Sequence, residues 1–207
     1  MTCPIIPYTS AIFENGHFTE FHPLLPDKVT GLHLTMLRTC IFGSEDTITN
    51  TYLKRYVWDS SSTNIQIAPY GSDTKKVEIK PSIIVKRGVW TTEMVGFRHN
   101  AGVPYTDEDT GLTYQWQLTA ILGTTEIYFI GNTDGEAEAL AGEVFWWFLE
   151  NRARIEVYFG FHTFELAELA PLQVYKEDFK DLLATKFTLR YNIWHRYNTV
   201  IDDGGSG

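Results

Sequence analysis

The chain is 207 residues long with 43% apolar and 14% aromatic side chains, which is material for one sizeable core and not the composition of a disordered protein. Its formal charge of −9, from 26 acidic and 17 basic residues, argues against a phosphate-binding surface, which needs clustered Lys and Arg. Basic residues group only as Lys54-Arg55, Lys75-Lys76, Lys86-Arg87 and the Arg190/Arg196 pair, so no sequence-specific nucleic-acid binding is expected, although DNA could pass an acidic protein without being held.

No stretch approaches the about 18 consecutive apolar residues of a membrane span, and no N-terminal apolar run is bounded by basic residues and a small-residue cleavage site. Neither a membrane partner nor a signal peptide is expected, and synthesis in the cytosol is. Cys3 and Cys40 form neither a close metal-ligand pair nor a disulfide framework, and they read as two free thiols.

Residues 1–28 carry Pro4, Pro7, Pro23 and Pro26 with no sustained period, and read as an extended N-terminal arm. A helix follows from Asp27, because Val29, Leu32, Met36, Leu37 and Ile41 repeat at three and four residues and share one stripe. Gly43 ends it. Tyr52 to Trp58 reads as a strand from its aromatic and β-branched content, and Asn64 to Ala68 as a second, short one. Val77 to Lys86 alternates, with Pro81 marking an edge strand or a bend, and Thr91 to Phe97 reads as a further strand. His99 to Gly111 is a polar excursion. Thr113 to Leu122 and Thr124 to Ile130 then read as the two arms of a hairpin turning at Gly123.

Thr133-Asp134-Gly135-Glu136 fits a capping box at the start of a helix whose Ala137, Leu140, Ala141, Val144, Phe145 and Phe148 fall on one stripe. Trp146 and Trp147 project about 100° apart on such a helix, so one of them must point away from the centre of that stripe. Ile155 to Phe159 reads as a return to strand, Gly160 as a break and Phe161 to Leu169 as a strand. A short helical turn is expected near Asp178 to Leu183. In the last strand Phe187, Leu189, Tyr191, Ile193, His195 and Tyr197 alternate with Arg190, Trp194 and Arg196, which places the second set on the outer side.

These elements predict an α+β domain over residues 29–203, with a mixed, mostly antiparallel sheet flanked by two main helices. The extended arm precedes it, and Gly204-Gly205-Ser206-Gly207 reads as a flexible tail. Trp146, Trp147, Arg190, Trp194 and Arg196 are the candidate subunit or partner contacts.

Patterns that would carry chemistry are sparse. Gly131-Asn132-Thr133-Asp134-Gly135-Glu136 places glycines at a helix start, but Asp and Glu stand where a phosphate loop needs a cation, so a capped helix N-terminus is the better reading. His17 and His22 are five residues apart with no third ligand indicated, and Asp107, Glu108 and Asp109 do not match a calcium loop. No Gly-x-Ser-x-Gly elbow is present. No catalytic residue, metal or cofactor is assigned, and the chain is expected not to be an enzyme. A carbohydrate- or ligand-binding β-rich module is the alternative, since exposed Trp and Tyr also stack on sugars. A hydrolase built on paired carboxylates is the weakest reading.

From Lys80 onward the order of features resembles the tail-terminator and related neck proteins of tailed bacteriophages. The residues carrying the resemblance are the strand Lys80 to Gly88 and the hairpin reaching Ile127-Tyr128-Phe129-Ile130-Gly131. The capped helix from Glu136 through Val144 and Phe148-Leu149 follows, then Gly160-Phe161-His162 and a closing aromatic strand ending in Trp194. The resemblance covers about 120 residues as a pattern of elements, without a diagnostic motif. It implies a structural virion protein forming a homo-oligomeric ring, often sixfold, that terminates the tail tube and joins it to the neck or connector. DNA would pass through the lumen, and an acidic lining would oppose sticking.

Overall fold

The computed structural model describes residues 13–14, 17–18, 26–59, 64–70, 81–94, 104–106, 111–171, 173–177 and 180–201. Of the arm, the description covers β1 (Phe13–Glu14) and β2 (His17–Phe18), a two-rung antiparallel pair, and the first helical turn. Pro26 opens α1 (Pro26–Thr35) where a missing N–H is not needed. The helix then widens into π geometry over Met36–Ile41, where Met36, Leu37, Cys40 and Ile41 are all buried. Arg38 crosses from this segment to donate from Nε and Nη2 to the carbonyl of Ile67, at 3.1 and 2.5 Å.

The expected strand at Tyr52 to Trp58 is instead a run of turns. Asn50 starts it: its Oδ1 accepts from the Tyr52 N–H at 3.0 Å and its carbonyl from the Leu53 N–H at 2.9 Å. Leu53 and Tyr56, three residues apart, enter the core, a spacing that fits a turn and not a pleat. The short segment expected after it is β3 (Gln66–Pro69).

β3 lies parallel to β4 (Ser82–Met94), and every other pair in the sheet is antiparallel. Val77 to Lys80 lie outside the described residues, and Pro81 marks the expected bend and not an edge. It sits one residue ahead of β4, where its carbonyl accepts from the Gln66 N–H at 3.0 Å, and β4 runs between β3 and β6 (Thr113–Ile130). The stretch from Thr91 is no separate strand, because β4 continues to Met94 across a bulge between Arg87 and Trp90. The hairpin expected at Gly123 is likewise one unbroken strand, the 18-residue β6. Gly123 is there for clearance: a Cβ would run into the ring of Tyr191 and the indole nitrogen of Trp90. β5 (Tyr105–Thr106) adds two rungs at the far end of β6.

α2 (Asp134–Phe159) begins as expected at Thr133, whose Oγ1 accepts from the Glu136 N–H at 3.3 Å. It runs 26 residues and takes in Ile155 to Phe159, which the sequence suggested as a strand. Gly160 ends it at φ 68°, in the left-handed region. β7 (Phe161–Leu169), β8 (Gln173–Glu177) and β9 (Lys180–Ile201) complete the chain. No helical turn precedes β9 among the described residues, since Leu182 and Leu183 are already strand. The sheet order is β3-β4-β6-β9-β7, so β6-α2-β7 is a split βαβ unit with β9 inserted between its strands.

Both helices lie on one face. Val29 and Leu34 of α1 and Leu140, Val144, Phe148 and Ile155 of α2 share a core with Ile83, Ile127, Phe129, Phe187, Leu189 and Tyr191. The expected α+β class and the inward set of the last strand through Ile193 hold; the side chains of His195 and Tyr197 lie outside the described residues. On the other face Ala68, Ile84, Ile130 and Ala184 form a small second cluster under Tyr128 and Leu182. Cys40 is disulfide-bonded, so the expectation of two free thiols fails; Cys3, the other cysteine of the sequence, lies outside the described residues.

Candidate functional site

The five sequence-derived contact residues fall in two places. Arg190 and Trp194 stand on the helix-free face of β9, where Arg190 is level with Thr124 of β6 and Glu165 of β7. Trp194 is 40% exposed and stacks on His162, ring centroids 4.0 Å apart. Arg196 pairs by backbone with Leu118, and its side chain lies outside the described residues. Trp146 is 60% exposed on the outer side of α2, whereas Trp147 is half-buried at the rim of the core, edge-on to Phe148 at 5.3 Å. The sequence argument that one of the adjacent tryptophans must leave the stripe is met by Trp146.

The helix-free face has its own electrostatic order. Glu126 sits between Lys86 of β4, at 3.2 Å, and Lys186 of β9, at 3.6 Å, and accepts from the Tyr128 hydroxyl at 2.9 Å. Burial pushes its carboxyl up, but the hydrogen bonds from Tyr128 and Lys86 and the two ammonium charges outweigh that and hold it below the usual carboxylate range. Beside this triad, Val89, Thr91, Leu122, Thr124, Glu165 and Arg190 line an open groove of about 430 Å³. Another hollow, of about 550 Å³, opens between α1 and the end of β3, lined by Gly31, Tyr70, Lys86 and Arg87. The first brings together one acid and one base, the second two cations.

Three buried ionisable groups were not singled out by sequence reasoning as a set. Glu136 accepts from the Asn132 N–H at 2.6 Å, the Asn132 amide at 2.8 Å, Arg55 at 3.2 Å and the Tyr56 hydroxyl. Burial raises its carboxyl, and these donors more than reverse the effect. The Tyr56 phenol is pushed up to about 12 by burial and by the same carboxylate. Two helical turns on, Glu143 accepts from Thr49 N–H at 2.6 Å, from the Thr49 hydroxyl at 2.8 and 2.9 Å, and from Asn50 N–H at 3.0 Å. Their i, i+7 spacing, readable in the sequence, places both on one flank of α2. With these donors on their oxygens, the two carboxylates anchor the 49–56 turns to α2.

His33 is the third. It is fully buried on α1 among Phe148, Phe164 and Tyr191, with ring centroids 6.3, 6.1 and 5.8 Å away, and neither ring nitrogen has a hydrogen-bond partner. Burial alone lowers its pKa to about 3, so it is neutral in the folded protein at physiological pH.

Among the described residues no group of three or more His, Cys, Asp or Glu side chains could hold a metal ion, and no helix is long and apolar enough to cross a membrane. His17, His22 and the Asp107–Asp109 loop have no described side chains. No protein-family model matches the chain, and no curated protein matches it in sequence.

Proposed function

We propose that the chain is a structural assembly protein of a tailed-phage virion, forming a ring that terminates the tail tube and joins it to the neck. The observation that supports this reading is the placement of its large aromatics. Trp146 and Trp194 stand exposed on opposite sides of the body, one on α2 and one on the helix-free face of the sheet. A ring that closes through one repeated head-to-tail contact needs two different surfaces on each copy. Exposed aromatic side chains are favoured anchors of such contacts.

The ring reading is tested by native mass spectrometry and electron microscopy of the purified chain, alone and with tail tubes. Closed rings, sixfold by the resemblance, are the expected result. A strictly monomeric species at every concentration that also fails to bind tubes would overturn it. So would a monomer that binds defined glycans saturably through the face bearing Arg190 and Trp194.

A further inference from the structure

The helix-free face closes its charges in one row and leaves them open in the next. Glu126 of β6 is held by Lys86 and Lys186, at 3.2 and 3.6 Å. Two residues along, Arg190 of β9 and Glu165 of β7 stand directly opposite each other in the register. Opposite charges so placed ordinarily pair. Among the described residues, however, neither side chain has an ion-pair or hydrogen-bond partner. They stand instead on the wall of the open groove of about 430 Å³.

The following row holds more unspent polar groups. Leu122, Asn192 and Thr163 lie side by side across β6, β9 and β7. The Oδ1 atom of Asn192 is buried without a donor, and such an atom is costly until something donates to it. The hydroxyls of Thr91 and Thr163, which line the groove, have no partner among the described residues. The rest of the wall is aliphatic, from Leu122 and from Val89, which is 71% exposed. A cavity of this size, with an apolar wall and a few convergent polar groups, has the ordinary form of a small-molecule site.

The charges select the occupant. One fixed cation and one fixed anion, a strand apart and not neutralising each other, match a molecule that carries both signs. Its carboxylate would lie on the Arg190 guanidinium, whose fork suits two oxygens, and its ammonium on the Glu165 carboxylate. A nucleotide or other polyanion would meet Glu165 with like charge. A sugar is served better by an aromatic face, and this wall is aliphatic. Trp194 stands four residues further along β9, roughly 13 Å at about 3.3 Å per residue, and stacks on His162.

We infer that this groove binds a small aliphatic zwitterion, an α-amino acid or dipeptide, with Arg190 and Glu165 as its two charge anchors and Val89 and Leu122 against its side chain. The site includes neither Trp146 nor Trp194 and does not rest on the ring reading.

The test titrates the full chain with three molecules of one shape: L-leucine, isocaproate, which lacks the ammonium, and isoamylamine, which lacks the carboxylate. The dipeptide Leu-Leu and glucose complete the set. Calorimetry reads binding, and thermal midpoints near that of the parent establish that the surface variants Arg190→Gln and Glu165→Gln fold. Leucine or Leu-Leu should saturate one site per chain, with each one-charge relative at least about tenfold weaker. Arg190→Gln should erase the preference for leucine over the amine, and Glu165→Gln the preference over the acid. No saturable binding of either zwitterion, relatives that bind as tightly as leucine, preferences that survive both substitutions, or displacement of the zwitterion by glucose overturns the inference. Native mass spectrometry of the same variants separates the two readings. Rings lost in Arg190→Gln, with no zwitterion bound by the parent, give that arginine to the subunit contact and sink the groove. A zwitterion bound by a chain that never forms rings upholds the groove and sinks the ring.

Discussion

Trp90 donates its indole N–H to the hydroxyl of Tyr191, 3.0 Å away, although a whole strand lies between them. Trp90, Gly123 and Tyr191 occupy one rung across β4, β6 and β9, and the two large side chains meet over the glycine. Tyr191 is further held by Thr125 at 3.2 Å and packs edge-on to Trp90 at 5.8 Å. Gly123→Ala should therefore destabilise the protein by about 1–3 kcal/mol, as overpacking does, despite alanine's smaller entropy cost. The drop should appear in the urea midpoint. An unchanged or raised midpoint would mean that the rung has room to spare.

The two glycines of α2 and its end should respond in opposite directions. Gly160, at φ 68°, is the left-handed residue that terminates the helix, and Gly160→Ala should cost about 1 kcal/mol. Gly142→Ala in the isolated protomer should gain about as much, because its Cβ enters open space on a helix interior. Thermal melts of both variants at a concentration where the parent is monomeric provide the comparison.

His33 sets a pH window. Its folded pKa is lowered to about 3 from an ordinary 6.5, so the unfolded chain binds a proton that the native protein refuses. Stability is then full above pH 6.5 and declines as pH falls toward 3, with a slope of up to about 1.4 kcal/mol per pH unit. The upper part of this window lies above the carboxylates, whose loss of Glu136 and Glu126 contacts belongs to lower pH because both are depressed. His33→Leu should flatten the profile between pH 6.5 and about 4.5 and leave neutral-pH stability equal or higher, since it removes two unpartnered buried nitrogens. Urea titrations at several pH values decide it. A slope that survives the substitution would rule His33 out as its source.

Glu143 is the anchor of the turns that follow residue 49. Glu143→Ala strands the Thr49 and Asn50 N–H groups and should cost about 2–3 kcal/mol. Amide hydrogen exchange over residues 49–58 should accelerate more than exchange in β6 or β9. Equal acceleration everywhere would mean that the turns do not unfold locally and that the carboxylate acts on the whole core.

The parts of this fold that could be read from the chain are those with a local cause. The Thr133 cap, the Leu140–Val144–Phe148 stripe and the alternation from Phe187 to Ile193 each carry their own periodicity, and each is where it was expected. The misreadings arise where the cause is distant. Gly123 resembled a turn because its constraint, the ring of Tyr191, is 68 residues away in sequence. Ile155 to Phe159 looked like a strand by composition, and only the capping Gly160 and the core on one side make it helix. Tyr52 to Trp58 has strand-forming residues, but Asn50 and Glu143 decide its path. Among the candidate contacts, Trp146 was legible from helical spacing alone.

β6 and β9 are joined in register over 18 consecutive rungs, from Thr113–Ile201 to Ile130–Ala184. At about 3.3 Å per residue the 22 residues of β9 span roughly 70 Å, against about 39 Å for the 26-residue α2 at 1.5 Å per residue, so the ribbon outruns its helical cover. With no turn at Gly123, that ribbon has no hinge. Tension applied at opposite ends of the two strands would load all the rungs in shear at once.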